Sequence, residues 1–385
     1  MKRCCKLFSN MIFIAGILCF SIYVLMPVES AAREEKAAKV TKAVPAALNK
    51  WEETLAAAKK EGKVTVVTFV GSETRAALTK SFKAKYGIDL DFTVGQGAAT
   101  LAKIQAERNA GLYTADAVVN GTSVLTLFKK SGLLEPLASV LMLPEVTDQK
   151  MWYGNKLSFF DKEGTGLGFL RQYNSCVLRN TESVKEGEIT SYLDLLKPQW
   201  KDKVTMYDPS ISGSGAMFMA TLALGVWNVE DAGTWFKKML KEQNLAVTRD
   251  PRLEVEWVAR GKYPIALATY TDQMVNFLAS GAPIAQQKVK EGGFVTSSTG
   301  ALGLFNKAAH PNAAIVFVNW LLSKDGQIAF TSGFGGPSNR KDVTATGVYA
   351  ALTPLEGDKA YDEDEEGMLK KNSLTKTWAK IISEK

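Results

Sequence analysis

Lys63-Val64-Thr65-Val66-Val67-Thr68-Phe69, running into Val70-Gly71-Ser72-Glu73-Thr74, is the stretch that decides the fold. Valine and threonine dominate its first seven residues, with one charge at the front, which predicts a buried strand. The Gly-Ser turn behind it opens a segment with helical spacing that runs to about Tyr86. Upstream, Trp51, Leu55 and Ala58 recur at helical spacing until Gly62. Downstream the alternation repeats, with a strand over 89–94, a helix over 98–110, a strand over 116–119 and a helix over 122–131 stopped by Gly132. Strands alternating with helices at this pace predict a parallel α/β sheet.

The pattern resumes after an irregular middle. Residues 166–173 read as a strand crossing between lobes, 203–206 as a strand and 213–224 as a helix. Further helices are expected over 229–241, 251–260 and 271–279, with strands over 264–269 and 284–287. A return strand over 301–304 and a strong helix over 311–322 are assigned to the first lobe. The expected organisation is a signal peptide (1–32), a linker (33–50), lobe 1 (51–170), lobe 2 (171–297), a return segment of lobe 1 (298–340) and a C-terminal helical tail (341–385). With 385 residues, two lobes also follow from size, since chains beyond about 300 residues usually divide. A chain that leaves one lobe, builds another and comes back has two crossovers, which make a hinge.

Lys2, Arg3 and Lys6 precede an uncharged apolar run over 11–26, and Ser30-Ala31-Ala32 supplies small residues for cleavage. This is the pattern of a secretory signal, cleaved after Ala32, which makes the folded part periplasmic or extracytoplasmic. The alternative is an uncleaved anchor. Leu18 and Phe20 are too bulky for lipoprotein processing at Cys19. Cys4, Cys5 and Cys19 fall inside the signal, leaving Cys176 alone, a buried structural thiol with no internal disulfide to form. Setting aside Lys2, Arg3, Lys6 and Glu29 reduces the net charge of +7 to about +5. The lysines are dispersed, with no basic run interleaved with aromatics, so nucleic acid is not an expected partner.

In an open parallel sheet, ligands sit at the carboxyl ends of strands, where loops expose helix N-termini. Four such loops are small and polar: Gly71-Ser72-Glu73-Thr74, Gly95-Gln96-Gly97-Ala98, Asn120-Gly121-Thr122-Ser123 and Ser210-Ile211-Ser212-Gly213-Ser214-Gly215. Glycines admit close approach of backbone N–H groups, and hydroxyls donate beside them. Each loop read alone is also an ordinary helix cap. In the fourth, Tyr207-Asp208-Pro209 ends a strand and Ser212-Gly213-Ser214-Gly215 opens an apolar helix, a geometry suited to an oxyanion. No lysine follows the glycines, so it is not a P-loop. Tyr270-Thr271 occupies the analogous strand end of lobe 2.

Catalysis finds little support. His310, the single histidine, precedes Pro311 at a helix start, and no nucleophile elbow or metal-ligating motif is present. Glu254 and Glu256 do not face each other on a helix. The acidic run Asp362 to Glu366 lacks the spaced ligands of a calcium loop and reads as a solvated charge run. No enzyme activity, cofactor or metal is expected.

The order of strand and Gly-Ser loop from Phe69, Gly95-Gln96-Gly97, Ala115-Asp116-Ala117-Val118-Val119 and Ser131-Gly132-Leu133-Leu134-Glu135-Pro136 resembles the family-1 extracellular solute-binding proteins of ABC transporters. Tyr207 to Gly215, Val255 to Tyr270, and His310-Pro311-Asn312-Ala313-Ala314 through Leu322-Ser323-Lys324-Asp325-Gly326-Gln327 extend the resemblance, which is greatest to the ferric-binding-protein-like branch. It implies a two-lobed periplasmic-binding-protein fold of the second type, closing by hinge motion on a small solute, acting as a monomer with an ABC permease. Ferric binders of that branch use a histidine in the first loop, a glutamate after the third strand and two successive tyrosines. Here those positions hold Ser72 to Thr74, Asn120 to Thr122 and Tyr270-Thr271, so the resemblance points away from iron. The expected ligand set is Ser72, Glu73, Thr74, Gln96, Gly97, Asn120, Gly121, Thr122, Ser212, Gly213, Ser214, Gly215, Tyr270 and Thr271, around a carboxylate or phosphorylated anion. Arg75, Arg171 and Arg252 are candidates to pair with it. The alternatives are a binder of ferric iron or a metal complex, and a ligand-sensing subunit.

Overall fold

The computed structural model describes residues 49–384 apart from Gln96, Glu356 and Glu363, so the expected signal peptide, nearly all of the linker and the Gln96 contact lie outside the described residues. A helix over 49–61 (α1) leads into Lys63–Thr68 (β1), Ser72–Tyr86 (α2), Asp89–Val94 (β2), Gly97–Asn109 (α3), Ala117–Asn120 (β3) and Thr122–Lys130 (α4). Short pieces follow: Leu134–Glu135 (β4), Pro144–Thr147 (α5), Ser158–Phe159 (β5), Gly166–Gly168 (β6) and Gln172–Asn174 (β7). The second lobe comprises Val177–Asn180 (β8), Val204–Tyr207 (β9), Ser214–Ala220 (α6), Val229–Lys241 (α7), Ala246–Thr248 (β10), Pro251–Ala259 (α8), Ile265–Leu267 (β11), Thr271–Ala279 (α9) and Ile284–Gln286 (β12). Gly293–Thr296 (β13), Ala301–Phe305 (β14), Pro311–Leu322 (α10), Lys324–Phe334 (α11), Ala360–Asp362 (β15) and Glu365–Ser383 (α12) complete the chain.

The first sheet has the order β2-β1-β3-β14-β6-β5, with β4 beside β14. β1 is parallel to both β2 and β3, Val66 standing opposite Phe92 and Ala117. The wholly parallel sheet expected from the sequence is corrected here, because β14 runs antiparallel to β3 and to β6. The cause is topological. β6 leads out to the second lobe and β14 comes back from it, so the two traverse the sheet in opposite directions. The second sheet, β10-β9-β11-β8-β12, is mixed in the same way, with β9, β10 and β11 parallel and β8 antiparallel to its neighbours.

The fold is the two-lobed periplasmic-binding-protein type with two crossovers. The strand expected over 166–173 is broken in two between β6 and β7, where the Phe169 N–H donates to Gly300 O at 2.8 Å. β7 and β13 are the crossovers, and they pair antiparallel, Gln172 opposite Thr296 and Asn174 opposite Phe294. β15 adds a third strand, parallel to β13. This ribbon is the hinge.

Each lobe has its own core. α10 is buried at nine of its twelve positions, which explains why its sequence is apolar all round. Phe82 of α2 meets Phe317 and Trp320 of α10 with ring centroids 5.8 and 5.0 Å apart. Asp116, fully buried, accepts from the N–H groups of Thr65 and His310, both at 2.8 Å, and lies 2.9 Å from His310 Nδ1. His310 thus anchors the start of α10 to the edge of β1. In the second lobe Tyr192, Phe218 and Trp235 pack edge to face. The segment expected as a tail joins that core: Trp378 of α12 is fully buried and stands perpendicular to Phe236 of α7. The acidic run is shared out among partners. Asp362 pairs with Arg171 at 3.2 Å, Asp364 caps α12, Glu365 pairs with Lys129 at 2.6 Å and Glu366 with Lys370 at 2.7 Å.

Candidate functional site

A cleft of about 480 Å³ lies where the two lobes and the ribbon meet, a size in the range of small-molecule sites. Its floor is the ribbon itself. Gln172 and Asn174 on β7, and Phe294 and Thr296 on β13, are spaced by two and therefore share one face. Lobe 1 contributes Gly121, Thr122 and Ser123 at the start of α4, and Phe334 at the end of α11. Lobe 2 contributes Ser212, Gly213 and Ser214 at the start of α6, and Thr269 to Asp272 at the start of α9. α12 closes one side with Met368, Lys371 and Asn372.

The turn at Ser212 to Ser214 is built tightly. Asp208 Oδ1 accepts from the Ser210 N–H and Oδ2 from Arg249 Nε, both at 2.7 Å. Burial works to raise this carboxyl, but the Ser210 and Arg249 bonds more than offset it and hold it below the ordinary value. Gly213 adopts φ 150°, ψ −163°, a region open essentially to glycine alone. Gly215 packs on the Tyr207 carbonyl, where a Cβ would come within 2.2 Å. Ser214 is 8% exposed and its Oγ has no hydrogen-bond partner among the described residues. A buried hydroxyl left in that state costs about 1–3 kcal/mol, a debt that a ligand acceptor in the cleft would cancel.

Tyr270 stands across from this turn. Its ring meets Tyr207 edge to face at 4.9 Å, and its hydroxyl lies against the Ser214 N–H. Burial, with Tyr207 beside it, pushes the phenol well above its ordinary value, so it acts as a neutral donor and acceptor.

Seven residues expected from the sequence line this one cleft: Gly121, Thr122, Ser212, Gly213, Ser214, Tyr270 and Thr271. Six others stand apart from its lining. Ser72 and Glu73 are exposed in the first turn of α2, and Thr74 is buried. The reason is α11, which packs along α2 with Gly333 so near that a Cβ there would lie 2.6 Å from Thr74 Cα. Phe334 then faces the cleft in place of that loop. Asn120 is buried, accepting from the Gly121 N–H at 2.9 Å and donating to Gly95 O at 3.3 Å, so it ties two loops together. Gly97 begins α3 at φ 59°, and Gly215 lies under the turn. Arg75, Arg171 and Arg252 are not among the lining residues either.

Sequence reasoning missed the ribbon floor and α12. Gln172 and Asn174, polar at alternate positions in an apolar stretch, were a usable signal for the first. Nothing local in the sequence marks Lys371.

Residues 77–356 match the family described as bacterial extracellular solute-binding protein. An uncharacterized protein of Haemophilus influenzae is 26% identical over 259 residues, covering 65% of this chain and 69% of that protein. The periplasmic binding protein AfuA from Actinobacillus pleuropneumoniae, solved with fructose-6-phosphate, is similar in structure with a TM-score of 0.60 and 22% identity, over 84% of this chain and 99% of that one. Trichodesmium IdiA (FutA), solved with iron and citrate, gives a TM-score of 0.63 and 21% identity, again over 84% and 99%.

Proposed function

Because this chain belongs to the bacterial extracellular solute-binding proteins, periplasmic receptors of the ABC-importer type, we propose that its own solute is a small carboxylate or phosphorylated anion gripped between Ser212 to Ser214, Tyr270 and Gly121-Thr122. The buried, unpartnered Ser214 Oγ in the cleft wall carries this reading. Around it, the glycine-dependent turn at Gly213 lines the cleft at the start of α6, a position that suits an oxyanion. AfuA, with its sugar phosphate, lends support from a protein of the same fold. The apolar run over 11–26 serves as the export signal, the lobes close about the β7–β13 ribbon, and the protein delivers its solute as a monomer.

A ferric cargo is the weaker reading. Tyr270 and Tyr349 both line the cleft, but burial pushes both phenols upward, away from the ionised form a hard ferric ion requires.

Native mass spectrometry of freshly purified protein, followed by melting with inorganic phosphate, citrate and glucose 6-phosphate, tests the proposal. A retained anion, or a melting temperature that climbs with anion concentration, is the expected outcome. A retained iron atom, or no response to any of the three anions, overturns it.

A further inference from the structure

Amide dipoles and hydroxyls solvate an anion without supplying a full opposite charge. Among the described residues that line the cleft, one lysine or arginine is present, Lys371, and one acid, Asp272. None of the arginines on the two lobes reaches the lining. The positive charge comes instead from α12, near the end of the chain.

That helix is held firmly enough to place a charge. Trp378 roots it in the core of lobe 2. β15, just before it, is bonded to the crossover strand β13. The Tyr361 ring fits against Gly225, where a Cβ would meet it at 2.7 Å. At the helix start, the Glu365 N–H donates to Phe160 O at 2.9 Å and its carboxylate pairs with Lys129, both in lobe 1. Met368, Lys371 and Asn372 fall at spacings of three and four, one face of the helix, and that face meets the cleft. α12 also packs on α6, which begins at Ser214.

We propose that Lys371, with Asn372 beside it, is the cationic contact for the bound anion, so that the C-terminal segment is a third ligand-recognising element alongside the two lobes. This rests on the anionic reading of the cleft. It makes affinity depend on charge as well as shape, and it couples solute binding to a helix that touches both lobes.

The test uses the mature chain with inorganic phosphate, citrate and glucose 6-phosphate as probes, titrated calorimetrically at two salt concentrations. Lys371→Met and Lys371→Gln are each read against their own ligand-free melting temperature. Both are expected to weaken the best-bound probe about tenfold or more and to flatten its salt dependence. Lys371→Arg keeps binding within about threefold, since it retains the charge. Lys376→Met, on an exposed part of the same helix, controls for net charge and leaves binding unchanged. If Lys371→Met and Lys371→Gln bind like the wild type while Ser214→Ala binds weakly, the tail contact is wrong and the cleft reading survives. If the wild type binds none of the probes, both fall.

Discussion

The Tyr270 hydroxyl lies so close to the backbone of Gly213 that a Cβ built there would stand 2.1 Å from the phenolic oxygen. Two constraints therefore meet at one residue, the steric one and the backbone angle that only glycine adopts without strain. Gly213→Ala is expected to lose about 1–3 kcal/mol of stability and to push Tyr270 aside. Adding Tyr270→Phe removes the offending oxygen and should recover part of the loss. Urea melts of the two single variants and the double variant measure the coupling. Additive effects, within about 0.5 kcal/mol, would show that the contact is not made.

Ser214 offers a change whose effects on stability and binding have opposite signs. Its Oγ is buried without a partner, so Ser214→Ala relieves an unmet desolvation in the ligand-free protein and should leave its melting temperature unchanged or higher. Affinity for an anionic probe should fall by about tenfold, one hydrogen bond to a charged acceptor. A variant that melts lower without ligand and binds as before would count against the assignment.

Glu254 of α8 is fully buried, and neither carboxylate oxygen has a hydrogen-bond partner among the described residues. Burial drives this carboxyl well above its ordinary value of 4.5, and the nearby Tyr207 backbone offsets that only in part. A carboxyl raised in the folded state contributes its full stability below the ordinary value and loses it as pH rises through the folded-state value. Within that window the wild type should lose up to about 1.4 kcal/mol per pH unit relative to Glu254→Gln. Denaturation midpoints at several pH values from 5 to 8 compare the two. Parallel curves would mean the carboxyl is already ionised in the fold.

Cys176 predicts a chemical silence. It is 1% exposed, at φ 64°, with its N–H bound to Asn174 Oδ1 at 2.8 Å, and burial pushes the thiol up to about 12. The native protein should resist a thiol reagent at pH 8 and react fully once unfolded. Fast modification of the native protein would reveal an opening of the ribbon that the closed packing does not suggest.

The sequence alone determined the elements whose pattern is local. The helices Val229–Lys241, Thr271–Ala279 and Pro311–Leu322 and the strand Asp89–Val94 fall on their expected residues, because side-chain periodicity and capping are written within a few residues of each position. The turn at Ser212 to Ser214 was legible for the same reason, and the two-lobed class from chain length and the family resemblance. Only the tertiary structure decided which polar loops face the cleft. Ser72 to Thr74 and Ser212 to Ser214 read alike as donor-rich strand ends, yet α11 packs on Thr74 and sets Phe334 in the cleft there, while Ser212 to Ser214 line the cleft themselves. The antiparallel crossover pairing of Asn174 with Phe294, and the arrival of Lys371 at the cleft from near the chain end, join residues more than a hundred positions apart. Such meetings are set by which apolar faces pack together, and no local pattern records what a polar side chain will find opposite it once they do.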